Sequence, residues 1–420
     1  MDDNPQDQSS LAQSVPICAG LSPCVLVIFL NGLAFGMVVP LLYYIADLSD
    51  GTPIGILIAC HAVGRLAGRL AIRLARPNVP RLWIHWIWQA IAIVACTLLA
   101  MAGHLHVARL GTLSVLYCAS LLAGFALSRF PAFPLLFPQN QRKDSAGTPL
   151  LIGFISGCAI GAIPASHWQA VTFILSAGIQ TVPALCAAGI CLLAALLCPD
   201  WQESRPTSKQ TPGSNSNLIG CTSPNRLAVV LACEAAFAIT VCVQPLVGWE
   251  SYAIAPAGIA LSFVLAGCIS IAVHALGMHL TEAGRWSSRA SLCTGLIFLA
   301  AGSVAFTGCC TFSRSIQPNV LFTGHILFWV GGILTGVSLG MLQATSVVEG
   351  NWPKPPRNDS LALDCMKALV VSAAALIASC LFAAHERTSF MLPAVLAGGG
   401  ISFYLVGRVL AWNANSPSTY

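Results

Sequence analysis

The sequence predicts an all-α polytopic membrane protein, with twelve transmembrane helices arranged as two six-helix bundles. Composition is the first reason. Of 420 residues, 56% are hydrophobic and only 8% charged, against roughly a quarter charged in soluble domains. A soluble chain of this size needs a polar skin that this one cannot supply. The second reason is run length. The apolar stretches are continuous over about twenty residues, the length a helix needs to cross the hydrocarbon layer. Strands of a membrane barrel would instead alternate apolar and polar residues. In lipid each span must satisfy its own backbone hydrogen bonds, so uninterrupted apolar runs read as helices. The third reason is the placement of basic residues, which fall almost entirely on one side of such a set of spans.

The apolar segments cover roughly 23–46, 53–75, 82–103, 110–130, 149–167, 170–197, 227–247, 255–278, 291–309, 320–343, 362–384 and 390–412. The longest break, 199–226, holds Pro199, Pro206, Pro212, Gly213, Ser214 and Ser216 among charged residues, the composition of a solvated linker. The expected organisation is a tail over 1–22, a bundle over 23–198, the linker over 199–226, a second bundle over 227–412 and a tail over 413–420.

If the N-terminus is cytoplasmic, inside loops and adjoining helix ends carry 17 of the 20 Lys and Arg residues, leaving only Arg109, Arg314 and Arg387 outside. The reverse orientation would invert that bias, which the positive-inside rule disfavours. Both termini are therefore expected in the cytoplasm. The first twenty residues contain Asp2, Asp3 and Asp7 but no Lys or Arg, a poor start for a cleaved signal peptide. The 18 Cys are scattered through apolar runs without matched metal-binding spacing, and read as small buried hydrophobes.

A repeat links the halves. His61-Ala62-Val63-Gly64 in the second segment matches His274-Ala275-Leu276-Gly277 in the eighth, an offset of 213 residues. Arg142-Lys143-Asp144-Ser145 before the fifth segment matches Arg357-Asn358-Asp359-Ser360 before the eleventh, at an offset of 215. Parallel duplication of a six-helix unit is an arrangement that transporters use.

The stretch after the first repeated word reads Gly64-Arg65-Leu66-Ala67-Gly68-Arg69-Leu70-Ala71-Ile72-Arg73, and the corresponding loop of the second half reads Gly277-Met278-His279-Leu280-Thr281-Glu282-Ala283-Gly284-Arg285. These stretches resemble the signature loop of the major facilitator superfamily of secondary transporters, approximately G-x-L-A-D-R-x-G-R-R. The first copy keeps Gly64, Leu66, Ala67, Arg69 and Arg73, but has Gly68 where the family has an acidic residue. The second keeps Gly277, Gly284 and Arg285, with Glu282 one place from the acidic position. Asn31 to Pro40 is similar to a superfamily first helix. The resemblance implies a gating loop formed by Gly64, Arg65, Arg69, Arg73, Gly277, Glu282, Gly284 and Arg285, whose contacts break when the halves rock. A reading without gating is that the arginines fix topology and meet anionic headgroups. The fifth segment carries Gly153, Gly157, Gly161 and Pro164. This is similar to the superfamily's antiporter glycine-proline motif without matching it, and its plainer reading is a stripe for close helix packing.

Ionisable groups inside a span are costly and are functional candidates. Glu234 in the seventh segment is the clearest, as a proton-coupling or cation-binding group. His61 and His274 are weaker candidates. Asn31, Gln89, Gln180, Gln244 and Gln343 are uncharged polar groups within spans, and in lipid they need partners inside the bundle. Pro40 and Pro245 interrupt corresponding helices.

The function expected is a secondary active transporter for a small organic solute, working by alternating access, with protons as a coupling ion. The alternatives are a membrane-embedded enzyme acting on lipid, or a non-transporting receptor or scaffold on the same fold. No P-loop sequence G-x-x-x-x-G-K-[ST] occurs, which argues against a primary pump. No catalytic residues, cofactor, metal or nucleic-acid partner are expected, and the chain is expected to act as a monomer. The scarcity of charge within spans points to a neutral, zwitterionic or hydrophobic substrate.

Overall fold

The computed structural model describes residues 23–45, 52–74, 81–102, 109–128, 147–162, 181–197, 224–283, 285–313, 317–348, 359–384, and 393, 395 and 396. Eleven helices account for nearly all of them. They are α1 (Pro23–Ile45), α2 (Thr52–Leu74), α3 (Arg81–Ala102), α4 (Arg109–Leu127), α5 (Gly147–Gly157), α6 (Thr181–Leu196), α7 (Pro224–Tyr252), α8 (Pro256–Glu282), α9 (Ser288–Phe312), α10 (Pro318–Val348) and α11 (Asp359–Ala384). A π-helical turn, Cys158–Ala162, continues α5. The expected tails lie outside the described residues, as do most of the linker, the start of the sixth segment and all but three residues of the twelfth. Helix α7 begins at Pro224 rather than at 227, so the end of the expected linker is already helical. Proline at a helix start leaves unmade only a hydrogen bond that the first turn lacks anyway.

Among the described residues, seven helices are long and apolar enough to cross a membrane, and four shorter apolar ones accompany them. The exterior is apolar: Leu82, Trp83, Leu185, Leu192, Phe322 and Leu369 are all exposed. Polar side chains such as Asn31, Gln89, Glu234, Thr240 and Gln244 are buried instead. This inverts the soluble pattern, as lipid requires.

Helix contacts repeat at an interval of six helices. Helix α1 packs on α5 and α7 on α11; α2 packs on α4 and α8 on α10; α3 packs on α4 and α9 on α10. Between the halves, α2 meets α11 and α5 meets α8, again corresponding pairs. Glycines set the close crossings. In α1, a Cβ at Gly32 or Gly36 would overlap the carbonyls of Leu150 or Phe154 on α5. From the other side, Gly153 and Gly157 of α5 rest on the carbonyls of Phe29 and Leu33, and Gly161 rests on Met37. The α5 glycine stripe is thus a packing seam against α1, and Pro164 lies outside the described residues. Such backbone-to-backbone approach replaces the hydrophobic drive that lipid does not provide. Pro40 and Pro245 both sit inside continuous helices.

Candidate substrate cavity

A cavity of about 320 Å³ lies between the halves. Its walls come from α1, α2, α3, α4 and α5 on one side and α7, α8, α10 and α11 on the other. Beyond one end of it, the halves close on each other. A Cβ at Gly55 would overlap the Ser379 side chain and the Ala375 carbonyl, so α2 and α11 touch there. Phe154, Cys158 and Ala260 form a small apolar cluster joining α5 to α8. Most of the lining is apolar, including Phe35, Leu57, Phe154, Val241 and Phe263.

Charge gathers toward the other end. His61, Arg65 and Arg69 line the cavity from α2. Their four-residue spacing places them on one face of the helix, one turn apart. Arg73 continues that stripe but is exposed and stands outside the lining. Opposite, Glu234 of α7 has no exposed surface. Lys367 of α11 brings its Nζ to 3.3 Å from Glu234 Oε1, with 14% of its side chain exposed. The Arg65 and Arg69 guanidinium groups attract the same carboxylate from α2. A buried ion pair gains less than its geometry suggests, because both charges have left water. Removing one partner is the costly change, since the other then stays buried and uncompensated.

The uncharged polar lining is sparse. Gln244 Nε2 donates to Ser262 Oγ at 3.2 Å, joining α7 to α8. Ser120 Oγ donates to the Leu57 carbonyl at 2.7 Å, joining α4 to α2. Thr240 and Thr335 donate to carbonyls of their own helices, Ala236 at 2.9 Å and Gly331 at 2.8 Å.

Of the candidate residues read from sequence, Glu234, His61, Gln244, Arg65 and Arg69 meet at this cavity. Asn31 and Gln89 are buried elsewhere; Asn31 Nδ2 donates to the Val27 carbonyl of its own helix at 2.8 Å. His274 also stands apart, its backbone packed where a Cβ at Gly340 of α10 would sit. Gln180 and Gly284 lie outside the described residues, as do the side chains of Gln343 and Glu282. In the second loop copy, Gly277 packs on Ala344 of α10 and Arg285 is exposed. Lys367 is a cavity residue that sequence reasoning misses. Near the start of its segment it reads as one more inside cation, although its position within an apolar run is a usable signal.

Packing explains the missing acidic residue of the first loop copy. A Cβ at Gly68 would overlap the Ser128 side chain and crowd the Phe125 carbonyl of α4. Ser128 is held there by Trp88, whose indole Nε1 donates to its Oγ at 3.1 Å. No carboxylate fits at position 68. Among the described residues, Glu234 on the other half is a carboxylate that Arg65 and Arg69 attract.

No family model matches the sequence, and no curated protein matches it. Solved structures do match. A mutant of the nucleoside transporter NupG aligns with a TM-score of 0.57 at 13% identity, covering 91% of this chain and 99% of that one. The xylose transporter XylE from E. coli, in a partially occluded inward open conformation, gives 0.58 at 14% identity, covering 91% and 97%. A D-xylose-proton symporter gives 0.54 at 13%, covering 91% and 97%. All are transporters of the major facilitator type. The chain has the major facilitator fold. At this identity the likeness concerns architecture, and in that architecture the cavity lies between the two halves of the fold.

Proposed function

We propose that this chain is a secondary active transporter that carries a small organic solute across a membrane by alternating access. The observation that carries this reading is one cavity walled by five helices of the first half and four of the second. Rocking the halves about such a cavity exposes it first to one side and then to the other. The contact of α2 with α11 at Gly55 and the arginines lining the cavity from the other end of α2 suit a chamber reached from the arginine-bearing end. The distribution of Lys and Arg supports placing that end, with both termini, in the cytoplasm.

Glu234 is the proposed proton carrier. Groups facing it are Lys367 from α11 and Arg65, Arg69 and His61 from α2. A proton on Glu234 neutralises the carboxylate and frees Lys367, so protonation and the charge balance of the cavity change together. Movement between two exposures then loads and unloads the proton.

The test is flux. Vesicles reconstituted with the full-length chain are incubated with a metabolite mixture under an imposed pH gradient, and their contents are read by mass spectrometry. At least one small solute is expected to accumulate above protein-free vesicles, and to lose its accumulation when the gradient is dissipated. Contents identical to those of empty vesicles would contradict the reading. An enzyme acting on lipid would leave the solutes outside and alter the vesicle lipids, which the same extracts report.

A further inference from the structure

We infer that the cavity takes a compact, neutral, largely apolar molecule that donates a hydrogen bond, from a hydroxyl or a ring N–H, to the side-chain carbonyl of Gln244. This rests on the transporter reading and gives it a substrate class. It also narrows the range of substrates that the sequence composition suggests to one kind of polar group and one anchor.

Gln244 of α7 is buried and lines the cavity. The orientation of its amide follows from its neighbour. Ser262 of α8 spends its own proton on the Ile259 carbonyl, at 2.7 Å. The Ser262 oxygen can then only accept, so the group facing it at 3.2 Å is the Gln244 amide nitrogen. The Gln244 carbonyl Oε1 is turned away from Ser262, and among the described residues none donates to it. A buried acceptor without a donor is costly until something supplies one. Besides His61, the other uncharged polar side chains of the described lining are hydroxyls. Those of Ser120, Thr240 and Thr335 already donate to the carbonyls of Leu57, Ala236 and Gly331. Each keeps only its capacity to accept. This part of the lining therefore asks its ligand for protons. Gln244 retains a second amide N–H, so a ligand hydroxyl can both donate to it and accept from it.

The rest of the wall gives the body of the ligand. Phe35, Leu57, Phe263 and Leu339 present apolar surface to the cavity. Its volume of about 320 Å³ is roughly twice the ~150 Å³ of an apolar cavity that holds one benzene, so two fused rings have room. A ring of hydroxyls would meet mostly hydrocarbon and leave its polar groups unmatched, at a cost for each. The charge of the donor follows from its distance to the nearest described carboxylate on the same helix. Glu234 and Gln244 are ten residues apart on α7, roughly 15 Å along its axis, and Glu234 already faces Lys367 at 3.3 Å. An ammonium beside the Gln244 amide would have no counter-charge within reach there, which is costly at this depth. A neutral donor meets the carbonyl without that cost.

The test compares two probes that differ by one proton, naphthol and its methyl ether. Ala238 lines the cavity on the same helix as Gln244, and no cysteine is among the described lining residues. The variant Ala238→Cys is reconstituted at full length into phosphatidylcholine vesicles and alkylated with N-ethylmaleimide. Modification at position 238 is read by peptide mass spectrometry, which separates it from the buried Cys233 and Cys242. A membrane-anchored cysteine peptide in the same vesicles corrects for effects of either probe on the reagent or the bilayer. Naphthol should slow modification at position 238, with a half-protecting concentration at least about tenfold below that of the ether, as expected when a buried acceptor is left unmet. Xylose at that concentration should give no protection. Adding Gln244→Leu should bring the two probes within about twofold of each other. Where that variant does not fold, Ser262→Ala frees the amide to turn and should shrink the same ratio. The inference is overturned if neither probe protects, if the ether protects as well as naphthol, if xylose protects, or if the ratio ignores both substitutions. None of these readouts needs flux. A chain that moves nothing yet prefers the donor loses the transporter reading alone, and a chain that transports without the preference loses this inference alone.

Discussion

Helices α2 and α8 share a four-residue word and end differently. In α2, the backbone at His61 packs where a Cβ at Gly124 of α4 would sit, and Gly64 packs on the Leu121 carbonyl. In α8, the backbone at His274 packs on Gly340 of α10, and Gly277 packs on Ala344. The word therefore specifies a helix crossing in each half. The residues after the word differ between the copies. At the same offset, Arg65, Gly68 and Arg69 correspond to Met278, Thr281 and Glu282. His61, Arg65 and Arg69 line the cavity, while His274 and Met278 do not. Thr281 Oγ1 donates to the Gly277 carbonyl of its own helix at 2.7 Å. The repeated residues hold helices together, and the charge of the cavity lies in residues the two copies do not share.

The two crossings should differ most in their tolerance of a side chain at the glycine. Gly64→Val drives a branched side chain into the α4 backbone, which cannot move aside. It should destabilise the protein by about 3 kcal/mol or more, at or beyond the upper end of overpacking costs. Gly277→Ala meets the Ala344 methyl group and the Met341 sulfur rather than backbone, and a small shift together with the helix preference for Ala should hold the loss under about 1 kcal/mol. Thermal unfolding of the two variants in detergent separates them, and equal losses would contradict the assigned crossings.

Next in size is Lys367→Met, which leaves Glu234 buried without its partner. A loss of roughly 3 kcal/mol is expected by analogy with other broken buried pairs, and Glu234→Gln combined with Lys367→Met should recover much of it. A double variant no more stable than Lys367→Met would mean that the pair is not coupled.

The two histidines should differ as well. His61→Gln should change the initial rate of solute uptake by about tenfold, equivalent to roughly 1.4 kcal/mol. His274→Gln should leave the rate within about twofold, because its side chain stands apart from the cavity. The smallest effect expected is that of Arg285→Gln, a substitution at an exposed end that should leave rate and stability unchanged within error.

Much of this arrangement is legible in the sequence. The apolar runs mark the helices, because lipid permits little else. Glu234 stands out as a carboxylate within a span. The four-residue spacing of His61, Arg65, Arg69 and Arg73 marks one helical face. The direction in which Lys367 points is not legible, since it depends on how α11 is turned against α7, and packing decides that. Gly68 can be read from sequence only as a missing acid. Its reason lies on α4, at Ser128 and Phe125. Asn31 shows the opposite limit. A polar group inside a span needs a partner, but the Val27 carbonyl four residues earlier satisfies it without any site.

Glu234 is proposed to couple proton movement to solute movement through the shared cavity. Glu234→Gln keeps the side-chain volume and removes titration, and the Glu234→Gln, Lys367→Gln double variant removes the uncompensated lysine as well. Each is reconstituted beside the parent, and uptake is followed both under a pH gradient and as exchange at equal pH. Both variants should lose pH-driven accumulation while still exchanging solute. Accumulation against a gradient by Glu234→Gln, with the parent's pH dependence, would contradict the account and leave Glu234 a structural partner of Lys367.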